Sequence, residues 1–180
     1  MNAEGCDYAI VANVSEGRDA AIVESCADVI RATPGVSLLD THGDADHDRS
    51  VFTYAAQGNS AVAGAALSTA TLRLAERTTA TIDLRSPEKS GIARGVHPRI
   101  GALDVVPVVP ISARGTLQGA TSIAHVIAAS LGEFGIPVHL YGAAASSEER
   151  RALASIRRGE FEGLAARHVT LEGAPDFGPI

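Results

Sequence analysis

The chain has 180 residues with 15 lysines and arginines against 21 aspartates and glutamates, and its net charge of −6 argues against nucleic acid or an anionic membrane as the main partner, since both rely on a positive field. A chain of this length suits one domain, residues 1–180, able to bury roughly 70% of its unfolded surface without disulfides or metals. Cys6 and Cys26 lie in no metal-ligand or C-x-x-C pattern, and no apolar run reaches the roughly 18 residues of a signal or membrane span, so a cytoplasmic location is expected.

With no Trp, four Phe and three Tyr, the core must be built from Ala, Val, Ile and Leu, which suits helices packed closely on a sheet. Tyr8 to Ala12 is a short apolar run that predicts a strand, followed by a polar turn from Asn13 to Arg18. Ala21, Ile22, Cys26, Val29 and Ile30 then recur at helical spacing until Thr33-Pro34-Gly35 stops the helix. Val36 to Leu39 predicts an extended run, Asp40 to Arg49 a polar loop, and Val51 to Ala56 another strand with Phe52 and Tyr54 in alternation. From Asn59 to about Arg77 the pattern is helical, and Ala80 to Leu84 predicts a further strand. Arg85 to Gly95 carries Pro, Gly, Ser and four charged residues without periodicity, so it reads as an exposed loop, with Lys89 and Arg94 solvated, that lids a site.

Val105 to Val109 predicts a buried strand, and Thr116 the N-cap of a helix running to about Phe134. Val138 to Tyr141 reads as a strand, and Ser146-Ser147-Glu148-Glu149 as a capping box, with Ser146 at the N-cap of a helix to about Arg158. A short helix follows from Phe161, and Ala174 to Ile180 is turn-forming and linker-like. The order β-α-β-β-α-β-β-α-β-α describes an α+β domain, a mixed sheet whose helices cover mainly one face.

The densest chemistry lies between Gly95 and Pro107. Pro98 has a fixed φ and pushes His97 towards an extended backbone, so a ring that titrates near neutrality is mounted on stiff chain. Gly101 and Ala102 permit close approach by a substrate. Asp104 suits orienting that ring, binding a cationic amidine or bonding to backbone, and Arg99 a bidentate clamp on a substrate carboxylate, a logic that extends to Arg49. The turn containing Asn13, Ser15, Glu16 and Gly17 follows the first strand, where ligands are often bound, although helix entry alone explains it equally well. The run His42 to Asp48 holds two histidines and three further aspartates but fits no calcium-loop or zinc spacing, so no metal is expected there.

These residues resemble the N-terminal subdomain of the glutamate formimidoyltransferase (formiminotransferase) family. The resemblance is strongest over His97-Pro98-Arg99-Ile100-Gly101-Ala102-Leu103-Asp104-Val105 with Pro107. Asn13 to Arg18 resembles the family's N-F-S-E-G-R loop, Arg49 to Thr53 its N-R-T-V-Y-T segment, Pro137 to Gly142 fits as well, and Ala174 to Pro179 matches its A-P-D-F-G-P linker. The resemblance implies a ferredoxin-like subdomain and a folate site between two such subdomains. It also implies a homodimer and a histidine, here His97, that handles protons while a formimino group moves between an amino-acid donor and tetrahydrofolate. Asp104 would assist, with Asn13, Ser15, Glu16, Gly17, His42, Arg49, Arg99 and Gly101 lining the site for a small, carboxylate-bearing substrate. The sequence departs from the pattern where His42, Val96 and Ala143 stand in place of acidic residues, and the loop before His97 is longer. Two rival readings follow: a half-domain that uses the same histidine for folate-independent acid/base chemistry, and a subunit that needs a separately encoded C-terminal half.

Overall fold

The computed structural model describes residues 6–87, 89, 96–170 and 173–180. Strand β1, Cys6–Val14, is buried over most of its length and forms the centre of the sheet. Helix α1, Ala20–Arg31, starts where the extended Asp19 accepts hydrogen bonds from the N–H groups of Ala21 and Ile22. β2, Val36–Asp44, and β3, Arg49–Gln57, form an antiparallel hairpin whose turn is Ala45 to Asp48. Asn59 caps α2, Ser60–Thr81, through the N–H groups of Ala61 and Val62. β4, Leu103–Val105, and β5, Val108–Pro110, precede α3, Leu117–Phe134, which Thr116 caps and the left-handed Gly135 ends. Two short helices, α4, Leu153–Ile156, and α5, Glu160–His168, complete the chain.

The sheet order is β2-β3-β1-β4, with β5 also on β1. β3 slots between β1 and β2, so these two run parallel without touching and every ladder is antiparallel. The fold is therefore α+β as expected, and the anticipated mixed sheet is an antiparallel one with the split β-α-β order of ferredoxin-like domains. α1, α2 and α3 share one face, where Tyr8, Ile10, Ala12, Val14, Phe52 and Tyr54 meet Leu67, Leu74 and Ile123. Thr71 donates its hydroxyl to the Leu67 carbonyl, so the buried Tyr54 hydroxyl donates to Thr71 at 2.7 Å, and burial pushes the phenol's pKa up. No helix of the described residues is long and apolar enough to cross a membrane.

Tertiary packing redraws several local expectations. Asp40 to Asp44 is strand rather than loop, because pairing with Arg49 to Thr53 satisfies its backbone. Ala80 to Leu84 is not a strand: α2 continues to Thr81, and Ile82 and Leu84 are buried as the chain leaves it. The strand expected over Val105 to Val109 is split into β4 and β5 around Pro107, which has no N–H but whose carbonyl still accepts from Val11 N at 3.2 Å. Val138 to Tyr141 makes a single bridge, Val138 to Phe177, in place of a strand. Instead of a helix from Ser146 to Arg158 there is a 3-10 turn at Glu148–Arg150 and the one-turn α4; Arg150 is drawn to Asp176 at 2.8 Å. The linker-like tail packs back on the domain, where Asp176 accepts from Leu140 N and Val138 N donates to Phe177 O.

Candidate active site

Because β1 sends Tyr8, Ile10, Ala12 and Val14 into the helix-side core, Ala9, Val11 and Asn13 face the other side of the sheet. Register places Val51 opposite Asn13 and His42 opposite Val51, making a row across three strands on the helix-free face. Asp44 and Arg49 form the next row, and Arg49 Nη1 donates to Asn13 Oδ1 at 2.7 Å.

Arg49 ties this face to the His97 segment. Its Nη2 donates to the Pro98 carbonyl at 3.0 Å and to Asp104 Oδ2 at 2.6 Å. The same Oδ2 accepts from Arg157 Nη2 at 2.5 Å, and Oδ1 accepts from Ile100 N at 2.7 Å. The Asp104 side chain is 0% exposed and Arg49's 8%, so two guanidiniums converge on one buried carboxylate and leave a positive charge in excess.

His97 is half-buried beside this cluster. Its Nδ1 lies 2.8 Å from the Pro98 carbonyl, and since a carbonyl only accepts, that nitrogen carries the hydrogen and Nε2 keeps its lone pair. Burial, reinforced by Arg49 and Arg157, pulls the imidazole's pKa below its ordinary value, while the Pro98 carbonyl and Asp104 oppose the shift. The ring is thus neutral near pH 7 and basic at Nε2, ready to accept a proton. His47 lies edge-on to it with ring centroids 6.1 Å apart, held by Asp44 at 2.8 Å.

Beneath this surface the turn after β1 is tied in on all sides. Ser15 Oγ donates to Gly101 O at 2.7 Å, and Glu16 Oε1 accepts from the N–H groups of Arg18 and Asp19. Lys89 Nζ lies 2.7 Å from Glu16 Oε2 and 2.8 Å from Asp48 Oδ1, so Lys89 is a buried ion-pair centre rather than a solvated loop residue. Asp48 has a left-handed backbone, φ 47°, which its bonds to Lys89 and to Gly17 N hold in place. Arg99 is buried and donates to the Lys89 carbonyl and to Glu162.

Of the residues singled out in the sequence, the structure joins Asn13, Arg49 and Asp104 in one network with the His97 segment. It leaves His42 exposed one strand further out, and places Ser15, Glu16, Gly17, Arg99 and Gly101 in the frame below. Asp104 and the two arginines are buried tie-points whose bonds are made within the chain. Arg157 was missed: it reaches Asp104 across 53 positions, from a stretch that read only as the charged end of a helix. Among the described residues no group of three or more His, Cys, Asp or Glu is placed to hold a metal ion. Most of the expected lid, with Arg94, lies outside the described residues.

Comparison with known proteins bears on this geometry. Residues 8–180 match the model of the formiminotransferase domain, N-terminal subdomain. The chain is 38% identical over 170 residues to the formimidoyltransferase-cyclodeaminase of Gallus gallus, a match covering 94% of the chain and 29% of that protein. It is 36% identical over 169 residues to the glutamate formimidoyltransferase of Streptococcus pyogenes serotype M1, covering 93% and 52%, and 36% identical over 172 residues to that of Thermoplasma acidophilum, covering 94% and 52%. The chain thus spans about half the length of the monofunctional relatives and under a third of the bifunctional one.

Proposed function

Because this chain belongs to the formiminotransferase N-terminal subdomain family, we propose that it acts in transfer of a formimino group between an amino-acid donor and tetrahydrofolate, with His97 as general acid and base. The observation that carries the reading is the state of His97: Nδ1 is engaged by Pro98, Nε2 has no hydrogen-bond partner among the described residues, and proton affinity is lowered. His97 Nε2 takes a proton from the attacking nitrogen and returns it to the amino nitrogen of the departing amino acid, a role typically worth about 10²–10⁴-fold in rate. Tetrahydrofolate, when bound, supplies the secondary amine that accepts the one-carbon unit. Asn13, His42 and His97 border the helix-free face and suit contact with such a substrate. Arg49 and Asp104 hold Pro98 and hence the ring, and Ser15, Glu16, Gly17, Arg99 and Gly101 keep the floor rigid. The protein would work in the cytoplasm, as a homodimer or together with a polypeptide carrying the C-terminal half.

A second reading keeps His97 and drops folate. It is favoured by His42 and Ala143, which stand where the family pattern has acidic groups. The test is turnover of N-formimidoylglutamate with tetrahydrofolate, together with calorimetric titration of folinate. Turnover that falls by at least 10²-fold in His97→Gln supports the transfer reading. A folded chain that neither turns over nor binds folinate, alone or with a C-terminal-half protein, overturns it in favour of the second.

A further inference from the structure

A cavity of about 520 Å³ lies between β4 and β5, α3 and the chain from Ile136 to Ala144. Its walls are overwhelmingly apolar, with Val105, Val108, Ala124, Ile127, Leu131 and Phe161 among them, and His97 is not part of its lining. Apolar cavities of about 150 Å³ already take up benzene, and small-molecule sites run from about 300 to 1,000 Å³, so this space is of ligand size.

The polar residues of its lining are Thr79, Thr121, His139 and His168 together with Tyr141 and Asp104, which lie near each other. The Tyr141 hydroxyl is buried with no hydrogen-bond partner among the described residues. Arg49 and Arg157, whose guanidiniums share the Asp104 carboxylate, do not line the cavity, but the charge of Arg157 acts on the Tyr141 hydroxyl. Burial raises the Tyr141 pKa, so at neutral pH the phenol is a donor. Tyr141 therefore offers the cavity one donor lacking an acceptor, close to a carboxylate shared by two guanidiniums. A buried donor is costly to leave unmade, and a carboxylate oxygen beside Tyr141 accepts from it within the field of Arg157.

We propose that the cavity binds a small organic carboxylate with an apolar body, its carboxylate at the Tyr141 hydroxyl and its body between α3 and the β4–β5 edge. This site is separate from the proton chemistry of His97 and does not depend on the transfer reading. A ligand there lies against the backbone from Ile100 to Val105 that also carries Asp104, so its occupancy would bear on the segment that mounts His97.

The test is calorimetric titration of the full chain with decanoate and with 2-naphthoate, an aliphatic and an aromatic acid, and with 1-decanol as the uncharged control. The proposal expects at least one acid to bind in the micromolar range and decanol to bind at least tenfold more weakly than decanoate. Tyr141→Phe, which removes only an unpaired hydroxyl, should weaken the acid about threefold to tenfold, and Ala124→Phe, which fills the cavity, should abolish binding. Circular dichroism establishes that each variant is folded; should Ala124→Phe fail to fold, Tyr141→Phe decides. Failure of both acids to bind at millimolar concentration overturns the proposal. So does equal binding of decanoate and decanol, or affinity unchanged in a folded variant.

Discussion

Arg49 and Asp104 stand 55 positions apart in the chain and meet at 2.6 Å, with the carboxylate wholly buried. Through this pair the start of β3 is fastened to the start of β4, and because Arg49 also holds the Pro98 carbonyl, the backbone carrying His97 is fixed between them. The His97 ring is therefore placed by a buried ion pair rather than by its own loop.

Removing that carboxylate should be costly. Asp104→Ala leaves two largely buried guanidiniums facing each other without a counter-charge, and breaking a buried pair of this kind costs about 3–5 kcal/mol. Urea unfolding should show the midpoint fall sharply, with a smaller loss for Asp104→Asn, which keeps the shape and part of the hydrogen bonding. A loss below about 1 kcal/mol for Asp104→Ala would mean that the pair is solvated in solution.

The protonation of His97 should respond to Arg157. Burial lowers its pKa first, and the nearby guanidiniums lower it further. In Arg157→Gln a repelling cation is gone and Asp104 faces the ring with less neutralisation, and both changes raise the affinity for a proton. Imidazole NMR titration should place the His97 midpoint below 6.5 in the parent and nearer to it in the variant. A midpoint that moves down would contradict this electrostatic account.

A second histidine pair makes stability depend on pH. His139 and His168 approach Nε2 to Nε2 at 3.0 Å, and burial, then the charge of His168 and of Arg167 and Arg150, pulls the His139 pKa down to about 4, with Asp176 opposing. His168 is shifted in the same direction by burial and Arg167. Above about pH 6.5 both folded and unfolded chains hold these rings neutral and the contribution is complete. As the pH falls from 6.5 towards 4, the unfolded chain takes up protons that the folded chain refuses, and stability is lost, on the order of 2 kcal/mol. Thermal melts at pH 7.5 and pH 4.5 should show a larger drop for the parent than for His139→Gln; equal drops would assign acid sensitivity to other groups.

Gly17 is required by space. A Cβ there would sit 2.2 Å from the Asp44 carbonyl oxygen and 2.5 Å from Arg49 N, both backbone atoms of the β2–β3 hairpin that cannot swing aside. Gly17→Ala should therefore destabilise by about 1–3 kcal/mol and loosen the contact between the β1 turn and Arg49. Denaturant unfolding together with amide exchange at Arg49 and Ser50 would register both effects.

Sequence by itself determined the α+β class, the central strands and the three long helices, because alternation in Val51 to Ala56 and helical spacing from Asn59 report burial directly. The N-cap Thr116 was equally local, since it needs only a side-chain oxygen near free N–H groups. The family motif from His97 to Asp104 was likewise legible in the sequence, and the family it pointed to is the one the chain belongs to. Only the tertiary structure decided what those residues touch. Arg157 reaches Asp104, Lys89 sits between Glu16 and Asp48, and Val138 to Leu140 receives the C-terminal tail, each through contacts between distant parts of the chain that no local pattern encodes. Short segments such as Ala80 to Leu84 and Ser146 to Arg158 went astray for the same reason: their propensities are weak, and packing against elements far away in sequence outweighs them.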